Sequence, residues 1–148
     1  MRKRDDMTFP FEEYERRLRE LRERIAERRM DAVVISDPEN IMYLTDYQTT
    51  GYSFFQALVV PLEDEPFMIT RKLEESNITA RTWVEITRPY PDTGDAIQML
   101  VDALREFGLD KKDCKAWWMV SPEFAKTLRG GVLKWWYLII LIWILLMI

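Results

Sequence analysis

Histidine, the commonest general acid or base and the commonest transition-metal ligand, is missing from this sequence of 148 residues. Its absence excludes serine or cysteine triads of the usual kind and zinc sites that need imidazole. A site built only from carboxylates stays open, because aspartate and glutamate can act as acids, bases or ligands without help from a ring nitrogen. The chemistry available to this chain is therefore narrow.

The remaining candidates are a guanidinium and several carboxylates. Arg71 follows a predicted strand and could hold a carboxylate through a bidentate pair, or it could form a salt bridge to Glu74 or Glu75 on the next helix. Asp37 stands at the start of a predicted helix, which favours a helix cap over a catalytic acid. The acidic run at 63–65 is typical of a solvated turn rather than a cation site.

Composition and charge indicate a globular protein with one substantial core. Hydrophobic residues make up 48% of the chain, and the net charge is −4 with no clustered basic face, so nucleic acid is not an expected partner. Cys114 is the only cysteine, which rules out an internal disulfide and fits a reducing compartment. The N-terminus lacks the apolar stretch of a secretory signal, so we expect a cytoplasmic body.

Hydrophobic periodicity predicts helices that alternate with strands. The predicted elements are a helix over about 10–29, a strand over 32–36, a short helix after Asp37, a loop over 47–53, a hairpin of strands 54–60 and 66–70, a helix over 72–80, a strand over 83–87, a loop over 89–94, a helix over 96–107 begun by Asp95 and ended by Gly108, a strand near 115–120 and a short helix at 122–128. The fold class that follows is α/β, with a mixed β-sheet flanked by helices.

Gly130 and Gly131 mark an abrupt change of composition, which divides the chain into a domain over 9–130 and an apolar tail over 131–148. The uncharged stretch from Trp135 would form a helix about 21 Å long, short of a hydrocarbon core of about 30 Å. Three interpretations remain for the tail: a membrane anchor over 132–148 that holds the body on the cytoplasmic face, the product of a truncation or frameshift, or a buried tail helix.

The sequence resembles the N-terminal domain of the creatinase/prolidase family of metallohydrolases over about residues 9–112. The clearest match is the run DPENIMYLT at 37–45, where the family pattern is P-x-N-I-x-Y-L-T. Further matches are spread along the chain, at Phe11, Tyr14 and Leu18, at Asp31 and Ala32, over 56–61, at Glu65 and Pro66, over 71–74, and at Asn77 and Trp83.

The resemblance implies that catalysis belongs to another domain. In this family two Asp, one His and two Glu of a second domain hold a pair of divalent metal ions, and none of these five ligands has a counterpart here. We therefore expect no catalytic residue, metal ligand or cofactor in this chain. The predicted function is that of an isolated or truncated N-terminal domain of a proline-peptidase or creatinase-like enzyme, inert alone, that supports dimer assembly and caps the substrate pocket.

The resemblance also implies partners and site residues. The partner is expected to be a second copy of the chain or a full-length relative; alternatives are a regulatory subunit acting in trans and an interaction module tethered to a membrane by the tail. The aromatic loop lies towards the active site in the family, so we predict that Tyr47, Tyr52, Phe54 and Arg71 cap the substrate. The aromatic residues could instead alternate into the core of a strand, and Tyr52 is the one favoured to face a ligand.

Overall fold

The computed structural model describes residues 1–110 and the backbone of residues 114–116. Helices and strands alternate along this part of the chain, as the periodicity predicts. The elements are α1 (Phe11–Glu27), β1 (Ala32–Ile35), α2 (Pro38–Thr45), β2 (Ala57–Pro61), β3 (Phe67–Arg71), a 3-10 turn (Lys72–Glu74), α3 (Glu75–Arg81), β4 (Ile86–Tyr90), α4 (Ala96–Glu106) and β5 (Cys114–Ala116).

The five strands form one mixed sheet in the order β4-β3-β2-β1-β5. Strand β2 is antiparallel to both β1 and β3, so the predicted hairpin of β2 and β3 is confirmed. The outer strands β4 and β5 are parallel to β3 and β1, respectively. A parallel neighbour needs a crossover, and α3 lies within the crossover from β3 to β4. The predicted fold class, α/β with a mixed sheet flanked by helices, is confirmed.

The core lies on both faces of the sheet, because every residue of β1 and β2 is buried. One face packs against α4 through a cluster of strand and helix side chains that includes Val34, Val59, Phe67, Ile69 and Ala103. The opposite face carries the alternate strand residues, such as Val33, Leu58 and Met68, which are also buried.

Short polar side chains set the ends of the helices. Asp37 caps α2, since its Oδ2 accepts hydrogen bonds from the backbone and side-chain nitrogens of Asn40 at 3.0 and 2.8 Å. Asp95 caps α4 by accepting from the backbone nitrogens of Ile97 and Gln98 at 2.9 and 3.0 Å. Gly108 follows α4 with a φ of +66°, the left-handed conformation that favours glycine after a helix. The capping roles predicted for Asp37, Asp95 and Gly108 are confirmed.

Two strand boundaries differ from the prediction. Strand β2 begins at Ala57 rather than at residue 54, which leaves Phe54 in the loop before it. Strand β4 runs from Ile86 to Tyr90 rather than from 83 to 87, and it includes Pro89, which the sequence had placed in a loop. Because β4 is at the edge of the sheet, a residue without an N–H is tolerated there.

Trp83, predicted to begin that strand, instead lies buried before β4, where its Nε1 donates to the carbonyl oxygen of Leu44 at 3.0 Å. This bond links the end of α2 to the segment that enters the edge strand.

The predicted strand near 115–120 is observed over Cys114–Ala116, and its remainder lies outside the described residues. The predicted helix at 122–128 and the apolar tail helix over 131–148 lie outside them as well. Within the described part of the chain, none of the helices combines the length and the apolar character needed to cross a bilayer.

Candidate functional site

The connection between α2 and β2, residues 46–56, carries the aromatic residues and is called here the site loop. Its two ends are buried at Tyr47 and Gln56, whereas Tyr52 is 66% exposed and Phe54 is 49% exposed. The loop starts from a fixed point, because Asp46 adopts a left-handed conformation with a φ of 63° and ends α2. The site loop therefore has anchored ends and an exposed aromatic middle.

One carboxylate oxygen anchors the first half of the site loop. Oε2 of Glu74 accepts hydrogen bonds from the hydroxyl groups of Tyr47 at 2.8 Å and Thr49 at 3.3 Å. The side-chain nitrogen of Asn77 donates to the same oxygen at 3.1 Å and to the backbone carbonyl of Gln48 at 3.0 Å. Glu74 and Asn77 come from the 3-10 turn and α3, so the loop is tied to the segment that follows β3.

The surroundings of Glu74 favour its ionised form. Burial alone would raise the pKa of this half-buried carboxyl. The hydrogen bonds from Asn77, Tyr47 and Thr49, together with the positive charge of Arg71, outweigh burial, so the pKa of Glu74 lies below its ordinary value. Burial raises the pKa of the Tyr47 phenol, and the Glu74 carboxylate raises it further. Tyr47 is therefore a neutral donor to a charged acceptor, the stronger kind of hydrogen bond.

Arg71 ends β3 beside the exposed part of the loop. Its Nε and one terminal nitrogen donate to the two carboxylate oxygens of Asp92 at 2.8 and 2.7 Å, a bidentate pair. Its guanidinium carbon also lies 3.6 Å from the centre of the Phe54 ring. The salt bridge that the sequence suggested to Glu74 or Glu75 is therefore corrected: the partner is Asp92, in the loop that follows β4. The bidentate geometry is the one expected for a carboxylate ligand.

The four predicted site residues fall into two groups. Phe54 and Arg71 stack on each other, and Tyr52 is exposed two residues before Phe54; these three form what we call the aromatic–arginine surface. Tyr47 is only 1% exposed, so its contribution is to hold the loop through Glu74. The capping role itself stays a prediction.

Sequence reasoning assigned no site role to Glu74, Thr49, Asn77 or Asp92. A signal existed for two of them, because Glu74 and Asn77 are among the positions that match the family pattern. None was available for Asp92, which reaches Arg71 only because β3 and β4 are adjacent in the sheet. Among the described residues, no group of three or more potential metal ligands comes together.

Fold and site together define a small α/β domain with a mixed sheet, a braced aromatic loop and an arginine that stacks on this loop and pairs with Asp92. The model of the Creatinase/Prolidase N-terminal domain family matches residues 17–129, more than half of the chain. The chain belongs to this family, and the resemblance found in the sequence is confirmed.

Individual relatives agree with this assignment. The chain is 37% identical over 91 residues to an ectoine hydrolase of Halomonas elongata, with 58% of this chain and 22% of that protein covered. It is 31% identical over 87 residues to a hydrolase/peptidase of Sinorhizobium fredii, with 57% and 22% covered. The chain thus spans about a fifth of the length of the curated relatives that it matches.

Solved structures share the fold. The N-terminal domain of an Xaa-Pro dipeptidase from Lactobacillus brevis has a TM-score of 0.58 at 24% identity, covering 62% of this chain and 69% of that one. A dipeptidase from Pyrococcus horikoshii OT3 has a TM-score of 0.57 at 22% identity, covering 68% of this chain and 27% of that one. At these identities the likeness concerns the fold alone.

Because the pKa of Glu74 is lowered by folding, its charge stabilises the folded state at high pH and not at low pH. This contribution is fully present above the ordinary value of 4.5 and is lost as the pH falls through the lower folded pKa. We predict that Glu74→Gln lowers the free energy of unfolding at pH 7, and that the difference from the wild type narrows below pH 4.5.

Urea unfolding of the wild type and of Glu74→Gln, from pH 7 to below pH 4.5, measures this difference in the free energy of unfolding. Glu75→Gln, which removes an exposed carboxylate at the neighbouring residue, serves as the matched control and should lower the free energy of unfolding at pH 7 by less than Glu74→Gln does. The electrostatic account would be contradicted if the free energy of unfolding of Glu74→Gln were lower than that of the wild type by the same amount at every pH.

Proposed function

We propose that this chain is the pocket-capping, non-catalytic domain of a creatinase/prolidase-type metallohydrolase. In this proposal it closes over the substrate pocket of a catalytic domain, within a homodimer or on a full-length relative. The observation that carries the proposal is the aromatic–arginine surface: Tyr52 and Phe54 lie on the loop that Glu74 braces, and Arg71 lies at the end of β3, stacked on Phe54.

The exposure of the two rings supports a docking role. Tyr52 and Phe54 are both largely exposed within three residues of one loop, and clustered exposed apolar side chains mark interaction surfaces more often than scattered ones do. Aromatic residues and arginine are also enriched in the buried centres of protein interfaces. Because Tyr47 and Thr49 already fix the loop, Tyr52 and Phe54 would lose little conformational freedom on binding, which favours affinity.

Arg71 supports recognition of a carboxylate. Its present partner, Asp92, is 61% exposed, whereas the Arg71 side chain is only 15% exposed and so favours keeping a carboxylate partner. A carboxylate of a substrate could take the place of the exposed Asp92, so that the guanidinium keeps a carboxylate partner, and the stacked Phe54 ring would keep the guanidinium oriented. The side chain of Asp92 acts in this view as an internal stand-in for the ligand.

The substrate class that we propose for the assembled enzyme is proline-containing peptides, by analogy with the dipeptidases that share the fold. A second candidate is the hydrolysis of ectoine, which the 37% identity to an ectoine hydrolase favours. Both substrates carry a carboxylate and both reactions break an amide or amidine carbon–nitrogen bond. The divalent metal pair of such a reaction would belong to the catalytic domain.

We expect the purified chain to be inert alone, because the sequence contains no histidine and the described residues bring no metal-ligand group together. The test is to incubate it with Mn²⁺, Co²⁺ or Zn²⁺ and either an Xaa-Pro dipeptide or ectoine, and to follow product formation. Metal-dependent turnover that persists through repurification, in proportion to the amount of chain, would contradict the proposal.

Association tests the capping role directly. We predict that the chain binds a full-length hydrolase of its family, and that the double change Tyr52→Ala and Phe54→Ala weakens binding by about tenfold or more. Ile97→Ala is the matched control, because Ile97 is 55% exposed but lies on α4, away from the site loop in the chain.

Isothermal titration calorimetry measures the Kd of the wild type, the double variant and Ile97→Ala for the full-length hydrolase. The proposal would be contradicted if the double variant bound the hydrolase as tightly as the wild type does. It would also be contradicted if the wild type did not associate with the hydrolase at micromolar concentration.

A further inference from the structure

Two buried polar atoms in the core have no hydrogen-bond partner among the residues that the structure describes. They are the side-chain nitrogen Nε2 of Gln56 and the hydroxyl oxygen of Thr70. Gln56 is 5% exposed and Thr70 is 1% exposed, so bulk water reaches neither freely. A buried polar group without a partner is rare in folded proteins, because it loses its bonds to water and gains none in return.

The two residues are neighbours across the sheet. Ala57 of β2 pairs with Ile69 of β3, and continuing this antiparallel register by one residue places Gln56 opposite Thr70. Residues opposite each other in such a pair share one face and have their Cβ atoms about 5 Å apart. The two unpartnered atoms therefore belong to one place in the core rather than to two unrelated defects.

Gln56 and Thr70 line the same small cavity, whose lining extends from the buried Thr70 to the exposed Phe54 and includes Tyr47 and Glu74. The cavity has a volume of about 10 Å³. That is roughly the space of one water molecule, and a buried water typically makes about three hydrogen bonds. The volume fits one water molecule, and the two unpartnered polar atoms in the lining are hydrogen-bonding partners for it.

We propose that this cavity binds one ordered water molecule, which accepts a hydrogen bond from Nε2 of Gln56 and also bonds the hydroxyl group of Thr70. An oxygen of Glu74, in the same lining, is the third partner. The water then connects strands β2 and β3 to the carboxylate that braces the site loop. Gln56 and Thr70 become positioning residues for that loop, and the proposal holds whether or not the domain caps an enzyme.

The direct test is a crystal structure of the full chain at a resolution that shows ordered solvent. We expect an electron-density peak within hydrogen-bond distance of both Gln56 Nε2 and Thr70 Oγ1, and its loss or weakening in Thr70→Val. A wild-type cavity without such a peak, or one in which both atoms bond protein groups instead, would overturn the proposal.

Thermal unfolding provides a second readout on the same full chain. Thr70→Val and Gln56→Met, which remove one polar group each at similar volume, should each lower the Tm by about 2–4 °C. If one water joins the two groups, the double variant should lose less than the sum of the single shifts. Thr87→Val on β4 is the matched control and should leave the Tm nearly unchanged; shifts that add fully would count against a shared water.

Discussion

Oxygen Oε2 of Glu74 accepts hydrogen bonds from three side chains, and the shape of the functional surface depends on these bonds. Two of the donors, Tyr47 and Thr49, precede Glu74 by 27 and 25 residues in the sequence. Without them the connection over 46–56 would be a long link between α2 and β2 with little to order it. The negative charge on Glu74 strengthens each of these hydrogen bonds. Asn77 and Arg71 lower the pKa of Glu74 and so favour its ionised form.

The sheet supplies the other half of the surface. Arg71 is the last residue of β3, and its position beside β4 brings it within reach of Asp92 after the crossover. Glu74 follows Arg71 by three residues. The segment 71–74 therefore both anchors the site loop, through Glu74, and places the Arg71 guanidinium against Phe54 of that loop. The aromatic–arginine surface is thus formed from one strand end and one braced loop.

Much of the fold was predictable from the sequence, because the elements follow strong local signals. Helix α1 has an uninterrupted apolar stripe, and Asp37, Asp95 and Gly108 occupy the helix ends that their side chains or backbone freedom favour. The run DPENIMYLT indicated the family, which the family model confirms. The errors fall at β2 and β4, where aromatic and proline residues have ambiguous local preferences and sheet position decides.

The site was less predictable for a different reason. Its aromatic residues and Arg71 could be identified by type, but the partner of Arg71 depends on which strands are neighbours, and local sequence does not encode that. The preference for Tyr52 as the ligand-facing residue agrees with its exposure of 66%, but nothing in the local sequence indicated that Tyr47, five residues earlier, would be buried. Long-range contacts decide which tyrosine is buried. Here the hydrogen bond to Glu74 holds Tyr47 in the interior, whereas Tyr52 stays exposed.

The most direct test of this account is amide hydrogen exchange in the wild type and in Tyr47→Phe, which removes only the hydroxyl group that donates to Glu74. The amide of Gly51 donates to the Thr49 hydroxyl at 2.9 Å, and the amide of Phe54 donates to the carbonyl of Gly51 at 3.1 Å. If Glu74 orders the site loop, these two amides should exchange faster in the variant while those of β1 and β2 keep their protection. Unchanged exchange at Gly51 and Phe54 would contradict the central role of this carboxylate.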